Sequence, residues 1–389
     1  MIPFLDLAAD LAQVEADARR RIDGVLTSCQ YVLGPETAEL EDALRRRFAV
    51  RSAIAVSSGT DALSLSLLAL GVGAGDAVLL PAFTFFATAG TVARAGAKPV
   101  FCDIEHDSYL ASARTMRAAI DRDFHLQDGL LRHRDSGAKL ALLLPVHLYG
   151  RACDLDAILE LARETGTRVI EDAAQAIDCR WRGRPISTFG DAGCLSFYPT
   201  KNLGGAGDGG MVVCNDEALG AKVARLRNHG AAAGTAEHAE AGFNARMPEL
   251  VAAVLNAKLP RLAEWTQRRR EIAALYTRLL ADAARGRLLE LSATAPEPSQ
   301  VWHQYAVRVP GAARRDRVQA ALDSRGIATR IFYPLPLHRQ PCFATGKRID
   351  FPEADAAAAE VLCLPIYPSL SDAAVVEVAE ALLEALGRR

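Results

Sequence analysis

The stretch Ser196-Phe197-Tyr198-Pro199-Thr200-Lys201-Asn202-Leu203-Gly204-Gly205 sets a lysine just beyond an apolar run, inside a glycine-rich loop. A free lysine titrates at about 10.4 and is a poor nucleophile at neutral pH. Joined to an aldehyde as an imine, it becomes a positioned leaving group and then a base for proton transfer. A lone lysine more often lies on a surface. Lys201 gains weight from the segments around it.

Upstream, Val169-Ile170-Glu171-Asp172-Ala173-Ala174-Gln175 ends an apolar run with carboxylates. A magnesium-binding role would need a G-x-x-x-x-G-K-[ST] loop, and the chain has none. Two readings remain. Asp172 either pairs with the nitrogen of a pyridinium ring, keeping it an electron sink, or caps a helix. Further upstream, Ser57-Ser58-Gly59-Thr60-Asp61 stands between a strand and a helix pattern. Open amides, a hydroxyl and the positive helix end make an anion site there. A plain N-cap by Ser58 or Thr60 is the alternative. Pro81-Ala82-Phe83-Thr84-Phe85-Phe86-Ala87-Thr88 places rings at a strand–helix turn. One ring could stack on a planar cofactor, and at least one packs in the core.

Downstream, Gly205-Ala206-Gly207-Asp208-Gly209-Gly210 satisfies G-x-G-x-x-G. The dinucleotide fingerprint follows a strand and opens a helix. Here a strand pattern, Met211–Cys214, comes afterwards, so a nicotinamide dehydrogenase is set aside. The glycines read as tight turns that clear a cofactor. His147 follows an apolar strand, and a structural or cofactor-side role stays open.

Seven apolar runs read as strands: Ser52–Ser57, Ala77–Leu80, Pro99–Ile104, Leu140–Val146, Arg168–Glu171, Gly193–Phe197 and Met211–Cys214. Helical patterns fall between them at Thr60–Leu70, Thr84–Arg94 and Leu155–Thr165. Strands apolar throughout, alternating with helices, predict an α/β protein whose mostly parallel sheet is covered on both faces. Ligands of such sheets bind beyond the carboxyl ends of the strands. Ser108–Lys139 reads as a helix plus an exposed insertion. Glu249–Leu280 reads as a long helix interrupted at Pro260. A strand at Tyr305–Val309, a helix at Arg314–Arg325 and a terminal helix from Asp372 predict a smaller C-terminal α+β domain. The expected division is a large domain at 1–250, then a connecting helix with the small domain at 251–389. Ala231–Gly242 reads as a small-residue loop.

The 389 residues carry a formal charge of −2, are 50% hydrophobic and 24% charged. No bulk charge draws the chain to nucleic acid or an anionic membrane, and no apolar run is long enough to span a bilayer. The basic run Arg268-Arg269-Arg270 reads as a solvated helix face. Eight cysteines without a C-x-x-C pair argue against a disulfide framework or a zinc knuckle. No histidine pattern has metal spacing. The N-terminus lacks the features of a signal peptide, and reduced thiols fit a cytoplasmic protein.

Taken in order, S-G-T-D-A-L, P-x-F-T-F-x-A-T, P-V-H-L-Y-G, E-D-A-A-Q, S-F-Y-P-T-K-N-L-G with G-D-G-G, G-F-N-x-R-M and Y-P-x-P-L-H resemble the DegT/DnrJ/StrS family of pyridoxal-phosphate (PLP) sugar aminotransferases. The likeness runs from Phe4-Leu5-Asp6-Leu7 to Leu364-Pro365-Ile366-Tyr367-Pro368. It implies the PLP-transferase type I fold, with a seven-stranded sheet sandwiched by helices, and a homodimer with shared active sites. It implies transamination of a keto-sugar nucleotide, with glutamate as donor and C3 favoured over C4, in surface-polysaccharide or glycosylated-metabolite biosynthesis. By the same resemblance Lys201 matches the Schiff-base lysine, Asp172 the partner of the pyridine nitrogen and Gln175 a donor to the ring oxygen. Gly59, Thr60 and Ser196 match the phosphate cradle, and Phe85 the stacking ring. Asn244 matches an asparagine that reaches the neighbouring subunit's phosphate. Arg246 and Tyr333 match positions that contact the sugar nucleotide. A dehydratase branch of the family replaces the lysine with histidine; Lys201 is intact. A regulatory protein without turnover is the other alternative. Three departures stand out: a longer insertion at Asp123–Ser136, Phe332 where many members carry histidine, and an Ile186-Ser187-Thr188 segment poorer in glycine.

Overall fold

A computed structural model describes residues 1–232, 236–292, 299–344 and 350–387. Nine strands build the large sheet: β1 Ser52–Val56, β2 Asp76–Pro81, β3 Lys98–Cys102, β4 Phe124–Gln127, β5 Leu130–His133, β6 Lys139–Leu143, β7 Arg168–Asp172, and, after the small hairpin β8 Arg180–Trp181 and β9 Arg184–Pro185, β10 Ala192–Ser196 and β11 Gly210–Cys214. Its main path is β1-β11-β10-β7-β6-β2-β3. All neighbours on this path are parallel except β11, which runs against both β10 and β1.

The seven expected strands are the seven of this path. The insertion supplies the other two. After the helix Ala113–Asp123, β4 and β5 form a hairpin that joins the sheet through Arg132 opposite Lys139. Each strand is four residues long and buries a single side chain, Phe124 or His133.

Burial on both faces explains the apolar runs. In β2, Ala77 and Leu79 pack into one core cluster and Val78 and Leu80 into another. The helix Gly59–Ala69 covers one face with Leu63, Leu65 and Leu67. Leu155–Thr165 covers the other with Ile158 and Leu161, capped by Asp154 and closed by Gly166 at φ 64°. The Glu249–Leu280 pattern is a helix Glu249–Lys258, a tight turn at Leu259–Arg261 and a second helix Leu262–Arg285. Proline at 260 removes an N–H that a continuous helix would need.

A second, three-stranded sheet pairs β12 Glu290–Leu291 with β13 Tyr305–Arg308 and β13 with β14 Val361–Leu364. Helices Leu262–Arg285, Ala312–Ser324 and Asp372–Ala385 pack their apolar faces on it in a separate cluster.

The reversed strand positions the lysine. Because β11 runs against β10, the 197–209 connection begins and ends at the carboxyl edge of the parallel strands. Gly210 stands opposite both Val56 and Ser196 there. A Cβ on Gly210 would lie 2.3 Å from the Ser58 carbonyl oxygen, and one on Gly204 would lie 2.1 Å from that of Pro199. At these two positions the glycines clear protein backbone, which is a closer reason than clearance of a cofactor.

Candidate active site

Five strand ends open onto one cavity of about 570 Å³. β1 leads to Ser58, Gly59 and Thr60, β2 to Thr84 and Phe85, β6 to Val146, β7 ends in Asp172, and β10 ends in Ser196 and leads to Lys201. Tyr333, His303 and Gln304 complete it from the far part of the chain. Of the ten residues singled out from sequence, Gly59, Thr60, Phe85, Asp172, Gln175, Ser196, Lys201 and Tyr333 line this one space. Asn244 and Arg246 do not. Asn244 is exposed, and Arg246 donates to the Oδ1 atoms of Asn228 and Asn244, both at 2.8 Å.

The helix start is a cradle. Ser58 caps it by accepting from the Asp61 amide at 3.0 Å. That leaves the Gly59 and Thr60 amides, which have no acceptor within the helix, facing outward beside the Thr60 hydroxyl. Gly59 packs so close to Ser196 that any side chain there would meet it. The N-cap and the anion site are therefore compatible, because Ser58 takes the capping role.

Asp172 is 4% exposed. Its Oδ1 accepts from the Ala174 amide at 3.1 Å, and its Oδ2 accepts from the Thr88 hydroxyl at 2.8 Å. Burial pushes its carboxyl upward, while these donors and the charge of nearby Lys201 pull it back. Burial also pushes the Lys201 ammonium down to about 8, opposed by the charge of Asp172.

Behind Asp172 sits a buried pair. His147 accepts the Cys153 amide on Nδ1 at 3.1 Å, so its proton lies on Nε2 and goes to Glu171 at 3.1 Å. Glu171 also accepts the amides of Ser187, Phe189 and Gly190 at 2.7, 2.8 and 2.9 Å. Both side chains are fully buried. Ser187 holds φ 69°, a conformation that favours glycine, and Glu171 anchors its amide. This explains how the glycine-poor Ile186-Ser187-Thr188 makes the turn.

Gln175 accepts the Tyr149 amide at 2.8 Å and donates to the Tyr333 hydroxyl at 3.0 Å. Burial keeps the Tyr333 phenol above its ordinary value. Phe85 is 53% exposed, with its ring 5.9 Å from that of Tyr333. Phe332 lines the cavity and packs edge-on against Phe4 at 6.0 Å.

Four residues here escape a reading of the sequence. Thr88 supports Asp172 from a helix pattern. His303 is buried, and burial with neighbouring Lys201 and Arg269 holds its imidazole well below the ordinary value. Its Nδ1 faces Asn202 Oδ1 at 3.2 Å, and Asn202 donates to the Val301 carbonyl at 2.9 Å, which ties Lys201's neighbour to the 301–303 segment. Lys258 donates to the Gly204 carbonyl at 2.7 Å and holds the same loop from below. Only the Gly-rich loop itself offered a signal. Among the described residues no group of histidine, cysteine or carboxylate side chains is arranged to hold a metal ion, and no helix is long and apolar enough to cross a membrane.

The seven-strand path with one reversed strand, the half-buried lysine and the carboxylate at a strand end define a type I PLP aminotransferase fold. The model of the DegT/DnrJ/EryC1/StrS aminotransferase family matches residues 12–383, and the chain belongs to that family. It is a PLP-dependent transaminase. The pleiotropic regulatory protein of Geobacillus stearothermophilus is 40% identical over 385 residues, covering 98% of each chain. The UDP-N-acetyl-3-dehydro-alpha-D-glucosamine 3-aminotransferase of Acidithiobacillus ferrooxidans is 37% identical over 385 residues, covering 99% of this chain and 98% of its own. The crystal structure of S. venezuelae DesV in complex with a ketimine intermediate superposes with a TM-score of 0.90 at 37% identity, covering 100% of this chain and 99% of that one.

Proposed function

We propose that the chain transfers an amino group to the C3 keto carbon of a nucleotide-linked sugar, with glutamate as donor. The observation that carries this reading is the meeting of Lys201, Asp172 and the Gly59–Thr60 helix start in one cavity. The residues fit PLP. A dianion suits two open amides with the hydroxyls of Thr60 and Ser196. A planar cation suits Asp172, and Phe85 offers a ring face. When bound, PLP supplies an aldehyde for a lysine and an electron sink for the substrate carbon.

The chain's own residues do the rest. Lys201, held near neutrality, carries the proton on Nζ between carbon atoms. Asp172 holds a positive charge on the ring nitrogen. Gln175 donates to the ring oxygen with the amide hydrogen that Tyr333 leaves open. Tyr333 and Arg246 contact the sugar nucleotide. On this reading the site belongs to a large domain at 1–250, and His303, Gln304 and Tyr333 reach it from the 251–389 part. The name of the Acidithiobacillus relative supports C3. The Geobacillus relative carries a regulatory name; the intact lysine and carboxylate favour turnover in this chain.

The working unit is a homodimer in the cytoplasm, making amino sugars for a surface polysaccharide or a glycosylated metabolite. Tyr31, Val32, Leu33, Phe243 and Leu250 are large apolar side chains that stay exposed. The Val32–Pro248 bridge joins their two segments, four residues from Asn244. A second copy covering this face would bring its Asn244 to the cradle. Loading the enzyme with pyridoxamine phosphate and screening keto-sugar nucleotides for return of the aldehyde absorbance tests the reaction. A 3-keto sugar nucleotide is expected to restore it. Failure of every keto-sugar nucleotide would overturn the reading.

A further inference from the structure

The hydroxyls of Thr84 and Thr88 form a directed chain into Asp172. Thr88 Oγ1 lies 2.8 Å from Asp172 Oδ2 and 3.3 Å from Thr84 Oγ1. An ionised carboxylate only accepts, so the Thr88 proton goes to Asp172 and the Thr88 oxygen is left to accept from Thr84. The three side chains are 2%, 1% and 4% exposed for Thr84, Thr88 and Asp172. Thr84 and Asp172 line the cavity; Thr88 stands behind them. In a dry setting such bonds strengthen one another. Burial alone drives the Asp172 carboxyl toward its protonated form, and the Thr88 hydroxyl is one of the groups opposing it.

We propose that Thr88, backed by Thr84, is a positioning residue that keeps Asp172 ionised and aimed, without touching substrate. This rests on the reading of Asp172 as the partner of the ring nitrogen. The position follows from the chain. Thr88 lies in the first turn of the helix Phe86–Arg94, at the end of β2, two strands from β7 in the sheet. A side chain reaching from that turn passes over the end of β6 to Asp172.

Other groups face Asp172. Lys201 acts on it through its charge, and His147 donates its backbone N–H to the Asp172 carbonyl at 2.9 Å. Cys194 is its register partner on β10, Glu171 precedes it, and the Tyr333 phenol feels its charge. A substitution at 88 leaves all of them in place. The ratio of variant to parent at each pH therefore isolates Thr88.

Apoprotein of the parent, Thr88→Val, Thr88→Ser and Asp172→Asn is titrated with PLP by fluorescence quenching across mildly acidic to mildly alkaline pH. Thr88→Val keeps the shape and removes the hydroxyl. It is expected to bind about tenfold more weakly at the acid end, as an upward shift of one pKa unit implies. The deficit should shrink as pH rises and Asp172 ionises in both proteins. Thr88→Ser restores the parent profile. If Thr88→Val does not fold, Thr84→Val removes only the outer hydroxyl and should show the same acid-weighted loss at smaller size. A loss equal at every pH, or a serine variant no better than valine, overturns the proposal. Parent-like binding by Asp172→Asn would sink the reading of Asp172 itself. Weak Asp172→Asn beside a parent-like Thr88→Val would sink the Thr88 proposal alone.

Discussion

Gly59 and Ser196 touch where the helix start meets the end of β10: a Cβ on Gly59 would stand 2.7 Å from that of Ser196. Neither atom belongs to a flexible tip. The Gly59→Ala variant must therefore move the helix start or the strand end, the two walls of the proposed phosphate cradle. Overpacking of this kind destabilises by about 1–3 kcal/mol. Affinity for PLP is expected to fall at least about tenfold, an interaction loss near 1.4 kcal/mol. Equilibrium dialysis of the apoprotein measures it, and unchanged affinity would remove the cradle assignment.

Lys201 sets a pH dependence. Only the neutral amine attacks an aldehyde, and burial brings the ammonium down to about 8. Below that value the neutral fraction falls about tenfold per pH unit; above it the fraction saturates. The rate of PLP capture by apoprotein, followed by stopped-flow absorbance, should rise with pH and level off above about 8. Asp172 favours the charged lysine, so Asp172→Asn should move the midpoint lower. A midpoint that stays near the free-lysine value in the parent would contradict the desolvation of Lys201 in the cavity.

The buried carboxylate beside Asp172 predicts a stability effect. Glu171 accepts three backbone amides and the His147 ring proton. Glu171→Ala would leave these donors buried and unpaired, at a loss of about 3–5 kcal/mol. Glu171→Gln keeps the shape and part of the accepting capacity, so its loss should be smaller. Urea denaturation distinguishes the two. Equal stability of Glu171→Ala and parent would mean that the segment 187–190 finds other partners.

The sheet was legible because burial on both faces leaves an unbroken apolar record in strands such as Ala77–Leu80. The cavity lining was legible where a titratable residue ends or closely follows an apolar run, as with Asp172 and Lys201. Thr88 and His303 were not legible. Each reaches the cavity from a segment whose local pattern is simply helix or strand, and only the crossing of distant elements gives it a partner. The hairpin β4–β5 was missed as strands because each strand is four residues long and buries one side chain, Phe124 or His133, so it leaves no long apolar run. Asn244 and Arg246 stand apart from the cavity of their own chain.

That separation yields the last prediction. If Asn244 serves the neighbour's site, damage at Lys201 and damage at Asn244 fall in different sites of a mixed dimer. The Lys201→Ala homodimer lacks the lysine in both sites. The Asn244→Ala homodimer lacks the asparagine in both. In a mixed dimer one site combines both lesions, and the other has an intact Lys201 facing an intact Asn244. Random pairing of equal amounts makes half the dimers mixed, each with one sound site, so about a quarter of the parent activity should return. Co-expression with two affinity tags, followed by assay of the singly and doubly tagged fractions, measures this. Activity confined to the doubly tagged fraction is the expected outcome. A mixed dimer as inactive as its parents would place Asn244 in the service of its own chain.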